Sequence, residues 1–217
     1  MRRLLLFDFD GTVIDGSQGI WNCINYATDK MGLPRLPQPI LDRFIGPSLY
    51  DSFIEYCEND PDRAQTFIAF YRERYAVTCV DETVLYPGIK ELLADLQNGG
   101  FSLCVCSSKP LDYVKAIARR LGVYDRFSYY SCVSFGDDSS DKTDLARACL
   151  RHFGAGPAEA ALIGDRIYDV RAAHAAGLAA VGVRWGFAPP GELEAAGADA
   201  IAETPEALGR LLTEGRV

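Results

Sequence analysis

"LLLFDFDGTVID", residues 4–15, decides the fold. Four apolar residues run directly into Asp8 and Asp10, and Gly11 and Thr12 follow. A short continuous apolar run predicts a strand buried on both faces, as in the middle of a parallel sheet. The two carboxylates then sit where that strand ends. Residues two apart on an extended segment share a face, so Asp8 and Asp10 can address one ligand while Phe9 packs the other way. Gly11 permits a sharp turn, and its neighbourhood offers backbone amides to an anion.

Working outward, further short apolar runs predict strands at Phe101–Cys106, Tyr129–Val133, Ala160–Ile163 and Ala179–Val183, with a sixth near Ala200. Helical stripes separate most of them. Ile89, Leu92, Leu93 and Leu96 form one, begun by Pro87 and stopped by Gly99 and Gly100. Val114, Ile117, Ala118 and Leu121 form another, and Leu145, Cys149 and Phe153 a third. Alternating strands and helices predict an α/β fold with a doubly wound, Rossmann-like parallel sheet. Residues 16–81 break the alternation and read as helices only, with Asp60 then Pro61 as an N-cap and first helical residue and 33–39 as a loop. The expected organisation is an α/β core of 1–15 and 82–217, with an all-helical cap domain of 16–81 inserted after the first strand.

The net charge of -8 argues against a nucleic acid polymer or an anionic membrane surface as partner. Seven cysteines show no metal-like spacing and only two histidines exist, so a structural zinc site is not expected. Buried free thiols in a reducing compartment fit better. Met1, Arg2 and Arg3 precede only four apolar residues, and no apolar run reaches membrane-spanning length. A cytoplasmic monomer or homodimer is expected.

In an α/β sheet, ligands gather at the carboxyl ends of the strands. The first strand delivers Asp8 and Asp10 there. "FSLCVCSSKP" delivers Ser107, Ser108 and Lys109, and the segment after the third strand, "DDSSDKTD", brings Lys142. "ALIGDRIYDV" delivers Asp165 and, four residues on, Asp169, and "GVRWGF" ends the fifth with Arg184 and Trp185. Four carboxylates brought together cannot all stay ionised without a cation. Oxygen-rich ligation with few histidines points to Mg²⁺. The metal, a lysine, a serine hydroxyl and loop amides then make a receptor for a phosphoryl group.

"DFDGT", then "SSK", then a lysine, then "GDRIYD", in this order and with an all-helical insertion behind the first motif, resembles the haloacid dehalogenase-like phosphohydrolase superfamily, phosphoglycolate phosphatase and nucleotidase branch, with a C1-type cap. The resemblance implies Asp8 as the nucleophile that becomes an aspartyl phosphate. It implies Asp10 as the acid that protonates the leaving alkoxide and then the base that activates water. Asp8, the Asp10 carbonyl and Asp165 would hold Mg²⁺, with Asp169 as a further ligand or just behind the ligands. Ser107, with Ser108 as a candidate to share the role, would donate to a phosphoryl oxygen near the Gly11 turn, and Lys142 would neutralise charge on the transferring group. Lys109 is the rival lysine, because Thr143 stands where many relatives carry a proline after the third-motif lysine. Arg166 and His174 read as surface residues.

The substrate implied is a small phosphorylated metabolite, phosphoglycolate or a 5′-nucleotide foremost. The stretch 43–53 differs from the other insertion stripes because Gly46 and Pro47 interrupt it. In relatives with this cap the comparable loop selects substrate, which makes Arg43 and Tyr50 candidates for that contact. Competing readings are a sugar phosphomutase of the β-phosphoglucomutase type, a haloacid dehalogenase, a receiver-type phosphoacceptor and an inactive binding module. Asp10 and the carboxylate set argue against the dehalogenase, Asp10 and the helical insertion argue against the receiver, and no motif carboxylate is missing.

Overall fold

In the computed structural model, which describes residues 3–45, 49–134 and 141–215, Leu4–Phe7 forms β1 and all four residues are buried. There follow β2 (Ile14–Asp15), α1 (Ser17–Lys30), α2 (Gln38–Leu41), α3 (Leu49–Tyr56), α4 (Pro61–Thr78), β3 (Val84–Leu85) and α5 (Ile89–Asn98). The chain continues with β4 (Ser102–Pro110), α6 (Leu111–Arg120), β5 (Tyr129–Val133), α7 (Lys142–Phe153), β6 (Ala160–Gly164) and α8 (Ile167–Ala175). It ends with β7 (Ala179–Val183), α9 (Glu192–Ala195), β8 (Ala200–Ala202) and α10 (Pro205–Thr213). The chain divides into two compact units, Met1–Asp15 with Leu85–Val217, and Gly16–Val84.

The first unit carries a six-stranded sheet in the order β5-β4-β1-β6-β7-β8, with every neighbouring pair parallel. Side-chain alternation sorts the strand residues between two layers of helices. Leu4 and Leu6 join Cys104, Cys106 and Leu162 in one cluster, closed by Ala146, Cys149 and Leu150 of α7 and by Val170 and Ala173 of α8. Leu5 and Phe7 alternate with them and are equally buried, and Phe7 meets the Phe127 ring edge-on at 6.1 Å. β1 lies between β4 and β6, where the strand order reverses, so its carboxyl end opens on the crevice in which doubly wound sheets bind ligands.

Some boundaries differ from the sequence reading by more than one residue. β4 does not stop at Cys106 but runs to Pro110, with a register shift between Ser107 and Pro110 that re-aims the side chains there. α5 starts at Ile89 rather than Pro87, because Gly88 takes the N-cap position in a left-handed conformation. Gln38 and Pro39 belong to α2 rather than to a loop, since a first helical turn tolerates the missing proline N–H.

The second unit holds α1 to α4. Asp60 caps α4 by accepting from the Asp62 and Arg63 N–H groups at 3.0 and 3.1 Å, and Ala64, Phe67, Ile68, Tyr71 and Tyr75 form its buried stripe. Phe53 lies at the centre, with ring centroids 5.0 Å from Phe44, 4.4 Å from Phe67 and 5.8 Å from Tyr71. Phe53→Ala should therefore lower the stability of this unit by about 3–5 kcal/mol. Urea unfolding followed by circular dichroism checks this; an unchanged midpoint would show that the aromatic cluster does not hold the unit together. All seven cysteines are free thiols, six of them buried. Among the described residues no helix is long and apolar enough to cross a membrane.

Candidate active site

The register aligns Phe7 of β1 with Val105 of β4 and Ile163 of β6. The next residues along these strands therefore emerge side by side, and the Asp8 N–H still donates to the Ile163 carbonyl at 2.8 Å. Lys142 arrives from the first position of α7. Asp141 caps that helix, its carboxylate accepting from the Thr143 N–H at 2.9 Å. A proline at 143 has no N–H to give, so the threonine goes with the aspartate cap. The Lys142 ammonium lies 2.8 Å from Asp8 Oδ1 and 2.5 Å from Asp169 Oδ1.

Asp165 directly follows β6 and Asp169 lies in the first turn of α8, both almost fully buried. Asp169 Oδ2 accepts from the Arg166 N–H at 2.9 Å, and Asp165 Oδ2 from the Phe187 N–H at 2.8 Å. Glycines make this close approach possible. Gly11 has φ of 79°, and a Cβ there would collide with the Asp165 carboxylate. A Cβ at Gly164 would strike Asp169, and one at Gly186 would strike Asp165. The Gly11 N–H itself donates to the Ile14 carbonyl at 2.9 Å, so an amide offered to a phosphate in this turn comes from a neighbour.

Ligand oxygens of Asp8, Asp165 and Asp169 all lie within 4.8 Å of one another. Three carboxylates against the one ammonium of Lys142 leave two negative charges without a counter-charge. Burial, then the charges of Asp169 and Asp8, push the Asp165 carboxyl well above the usual range. Burial likewise pushes Asp169 up to about 6 although Lys142 opposes it. Burial disfavours the Lys142 ammonium too, but Asp169 and Asp8 overcome it and hold its pKa above the ordinary lysine range. Lys142 pairs with Asp8 and Asp169, whereas the contacts of Asp165 given above come from a neutral amide. Its other oxygen lies 3.5 Å from the Thr12 hydroxyl. Hard oxygen donors, crowded and under-compensated, fit a cation, and this cluster could hold a metal ion.

The Asp10 carboxylate is not part of that cluster. The Lys109 ammonium grips both its oxygens at 2.9 Å, and the lysine is buried. The two lysines thus reach different carboxylates. Ser107 is buried at the end of β4, its Oγ accepting from the Lys109 N–H at 3.3 Å, while Ser108 is exposed. Trp185 borders the same turn, its indole N–H donating to the Thr12 carbonyl at 3.0 Å. Tyr86, whose hydroxyl pKa burial raises first and Asp15, Asp165 and Asp10 raise further, is a neighbour that no motif marks.

Arg166 is a correction. It is half-buried rather than a simple surface residue, with its Nε 2.9 Å from Glu192 Oε1. Nothing local marks this pair, which lies 26 residues apart along the chain. His174 is exposed, 3.3 Å from Asp199 Oδ2. Arg43 is exposed in a 3-10 turn and Tyr50 half-buried at the start of α3, both in the helical unit. Gly46 and Pro47 lie outside the described residues, as do Asp137 to Ser140 of the segment before Lys142.

The family described as haloacid dehalogenase-like hydrolase matches residues 5–183. A protein named 5′-nucleotidase from Pseudomonas aeruginosa is 34% identical over 191 residues, covering 88% of this chain and 86% of that one. A phosphoglycolate phosphatase from Cupriavidus necator is 33% identical over 221 residues, covering 98% and 94%. The crystal structure of a predicted phosphatase from Clostridium acetobutylicum superposes with a TM-score of 0.92 at 32% identity, covering 99% of each chain. The buried aspartates at the switch point of the sheet thus lie in a chain that belongs to the haloacid dehalogenase-like hydrolase family.

Proposed function

We propose that this protein is a phosphomonoesterase that acts on a small phosphorylated metabolite through an aspartyl phosphate on Asp8. The observation that carries the reading is the Lys142 ammonium bridging Asp8 and Asp169, beside an Asp165 held by neutral donors. An Asp8 oxygen attacks phosphorus, the ester bond breaks, and Asp10 gives its proton to the departing alkoxide. Asp10 then takes a proton from the water that attacks the phosphorus of the intermediate, which releases phosphate and restores Asp8. Lys109 holds the Asp10 carboxylate in place between these steps. Lys142 offsets charge on the transferring group, and Ser107 donates a hydrogen bond to it. Asp8, the Asp10 carbonyl and Asp165 would hold Mg²⁺, with Asp169 as a further ligand or just behind them. When bound, the ion supplies charge neutralisation for the phosphoryl oxygens.

Chelation should silence the protein, Mg²⁺ should restore it, and Ca²⁺ should inhibit, because its larger and looser shell suits the in-line geometry less well. Phosphate release in excess chelator and after each addition checks this; full activity in chelator would remove the metal from the account. Lys142→Ala should lose more turnover than Lys109→Ala. Steady-state kinetics of both variants check the order, and the reverse order would exchange the roles of the two lysines.

Relatives named for phosphoglycolate and for 5′-nucleotides support those two substrate classes. Groups that bind only a phosphoryl group cannot tell a two-carbon acid from a nucleoside. We therefore assign substrate choice to the helical unit as a cap, with Arg43 and Tyr50 as contact residues. The test is phosphate release across a panel of phosphorylated metabolites with Mg²⁺, in wild type and in Arg43→Ala and Tyr50→Phe. Release without added sugar bisphosphate, with a ranking that the two variants alter, is the expected result. A requirement for a sugar bisphosphate would favour a mutase, and an equal fall for every substrate would move selectivity elsewhere.

A further inference from the structure

One ion pair next to the aspartate cluster has no part in the chemistry above. Glu192 opens α9, and its Oε1 accepts from Arg166 Nε and from the Ile167 backbone N–H, each at 2.9 Å. Its Oε2 accepts from Arg166 Nη2 at 3.3 Å. One carboxylate thus grips both the side chain and the backbone of the turn between Asp165 and Asp169. The turn is braced within itself as well: the Arg166 N–H donates to Asp169 Oδ2 at 2.9 Å, and the Asp169 N–H to the Arg166 carbonyl at 3.0 Å. The Arg166 and Glu192 side chains are 11% and 15% exposed, so their charges are little screened by water.

Arg166 sits directly between two carboxylates of the cluster in sequence, and its guanidinium is turned to Glu192 and lies 5.6 Å from the Tyr168 ring centre. Asp165 already favours the Arg166 charge, so a guanidinium released by Glu192 is open to a carboxylate of the cluster. Paired there, it would oppose a cation. Burial disfavours the Arg166 charge, and Glu192 first and Asp165 after it more than offset that.

We infer that Glu192 is a positioning residue for the metal-holding turn: it neutralises Arg166 and turns the guanidinium away from Asp165 and Asp169, which leaves those carboxylates to the cation. This rests on the metal reading proposed above. The test is isothermal calorimetry of Mg²⁺ binding to wild type, Glu192→Gln, Arg166→Gln and the double variant, with thermal melts in chelator as a check on folding. Glu192→Gln keeps an acceptor for the Ile167 N–H but removes the charge, and should weaken Mg²⁺ binding about 10-fold, as loss of a partner behind metal ligands commonly does. Removing the arginine as well should restore affinity to within about 3-fold of wild type, because the competing charge is then gone. A merely structural brace would not be rescued by a second deletion. Arg166→Gln alone should bind Mg²⁺ at least as tightly as wild type, and it carries the test should Glu192→Gln not fold. Equal affinity in wild type and Glu192→Gln, no rescue in the double variant, or weaker binding in Arg166→Gln would overturn the inference. A flat wild-type isotherm would instead overturn the metal reading itself.

Discussion

Asp8→Asn should reduce turnover on the order of 10⁴-fold or more while leaving the fold intact. An amide oxygen does not attack phosphorus, and it is a poor ligand for a hard cation. The variant should nonetheless fold, since the backbone bond from residue 8 to Ile163 and the Lys142–Asp169 ion pair both survive the change. The amide oxygen can still accept from the Lys142 ammonium, which limits the stability cost to a lost charge interaction. Single-turnover phosphate release together with a far-ultraviolet circular dichroism melt checks both halves. Turnover near that of wild type would remove Asp8 as the nucleophile. Loss of turnover together with collapse of the melt would show that the residue is needed for folding.

The next largest effect is expected at Asp10. Asp10→Asn removes the acid from the first step and the base from the second, and loss of such help is typically about 10²–10⁴-fold. The two steps can be told apart by the leaving group. An alkoxide needs its proton in the transition state, whereas p-nitrophenolate is stable without one. The variant should therefore lose less in the first step with p-nitrophenyl phosphate than with an alkyl phosphate, and phosphorylated protein should build up, because water attack stays slow. The Lys109 ammonium, which holds both Asp10 oxygens at 2.9 Å, would then face a neutral amide. Comparing kcat/KM for the two ester types in wild type and variant checks the prediction. An equal fall for both would mean that Asp10 acts through placement or charge and not as the acid.

The sheet was legible because its inner strands are buried on both faces. Such strands read as continuous apolar runs, and Leu4–Phe7 and Ala179–Val183 match the runs read in the sequence. The carboxyl end of β4 was not legible, since "SSKP" is polar and the register shift there leaves no periodicity to read. That is also why the pairing of Lys109 with Asp10 could not be derived. The position of Lys142 had a usable signal, because Asp141 stands just before the α7 stripe as an N-cap residue. Candidate residues at strand ends could be named one by one, since the topology delivers each of them to one edge of the sheet. Which carboxylate meets which ammonium depends on rotamers and on turns that no local pattern encodes. The Arg166–Glu192 pair is the extreme case: two charged residues on separate elements, joined only by the fold.

The central claim is that the phosphoryl group passes through Asp8. The most direct measurement is peptide mass spectrometry of the Asp10→Asn variant, acid-quenched during turnover of p-nitrophenyl phosphate and reduced with borohydride, which converts an acyl phosphate to an alcohol. The account predicts reduction of the side chain at residue 8 and at no other aspartate. An unmodified Asp8 while product accumulates, or reduction at Asp165 or Asp169 in its place, would contradict it.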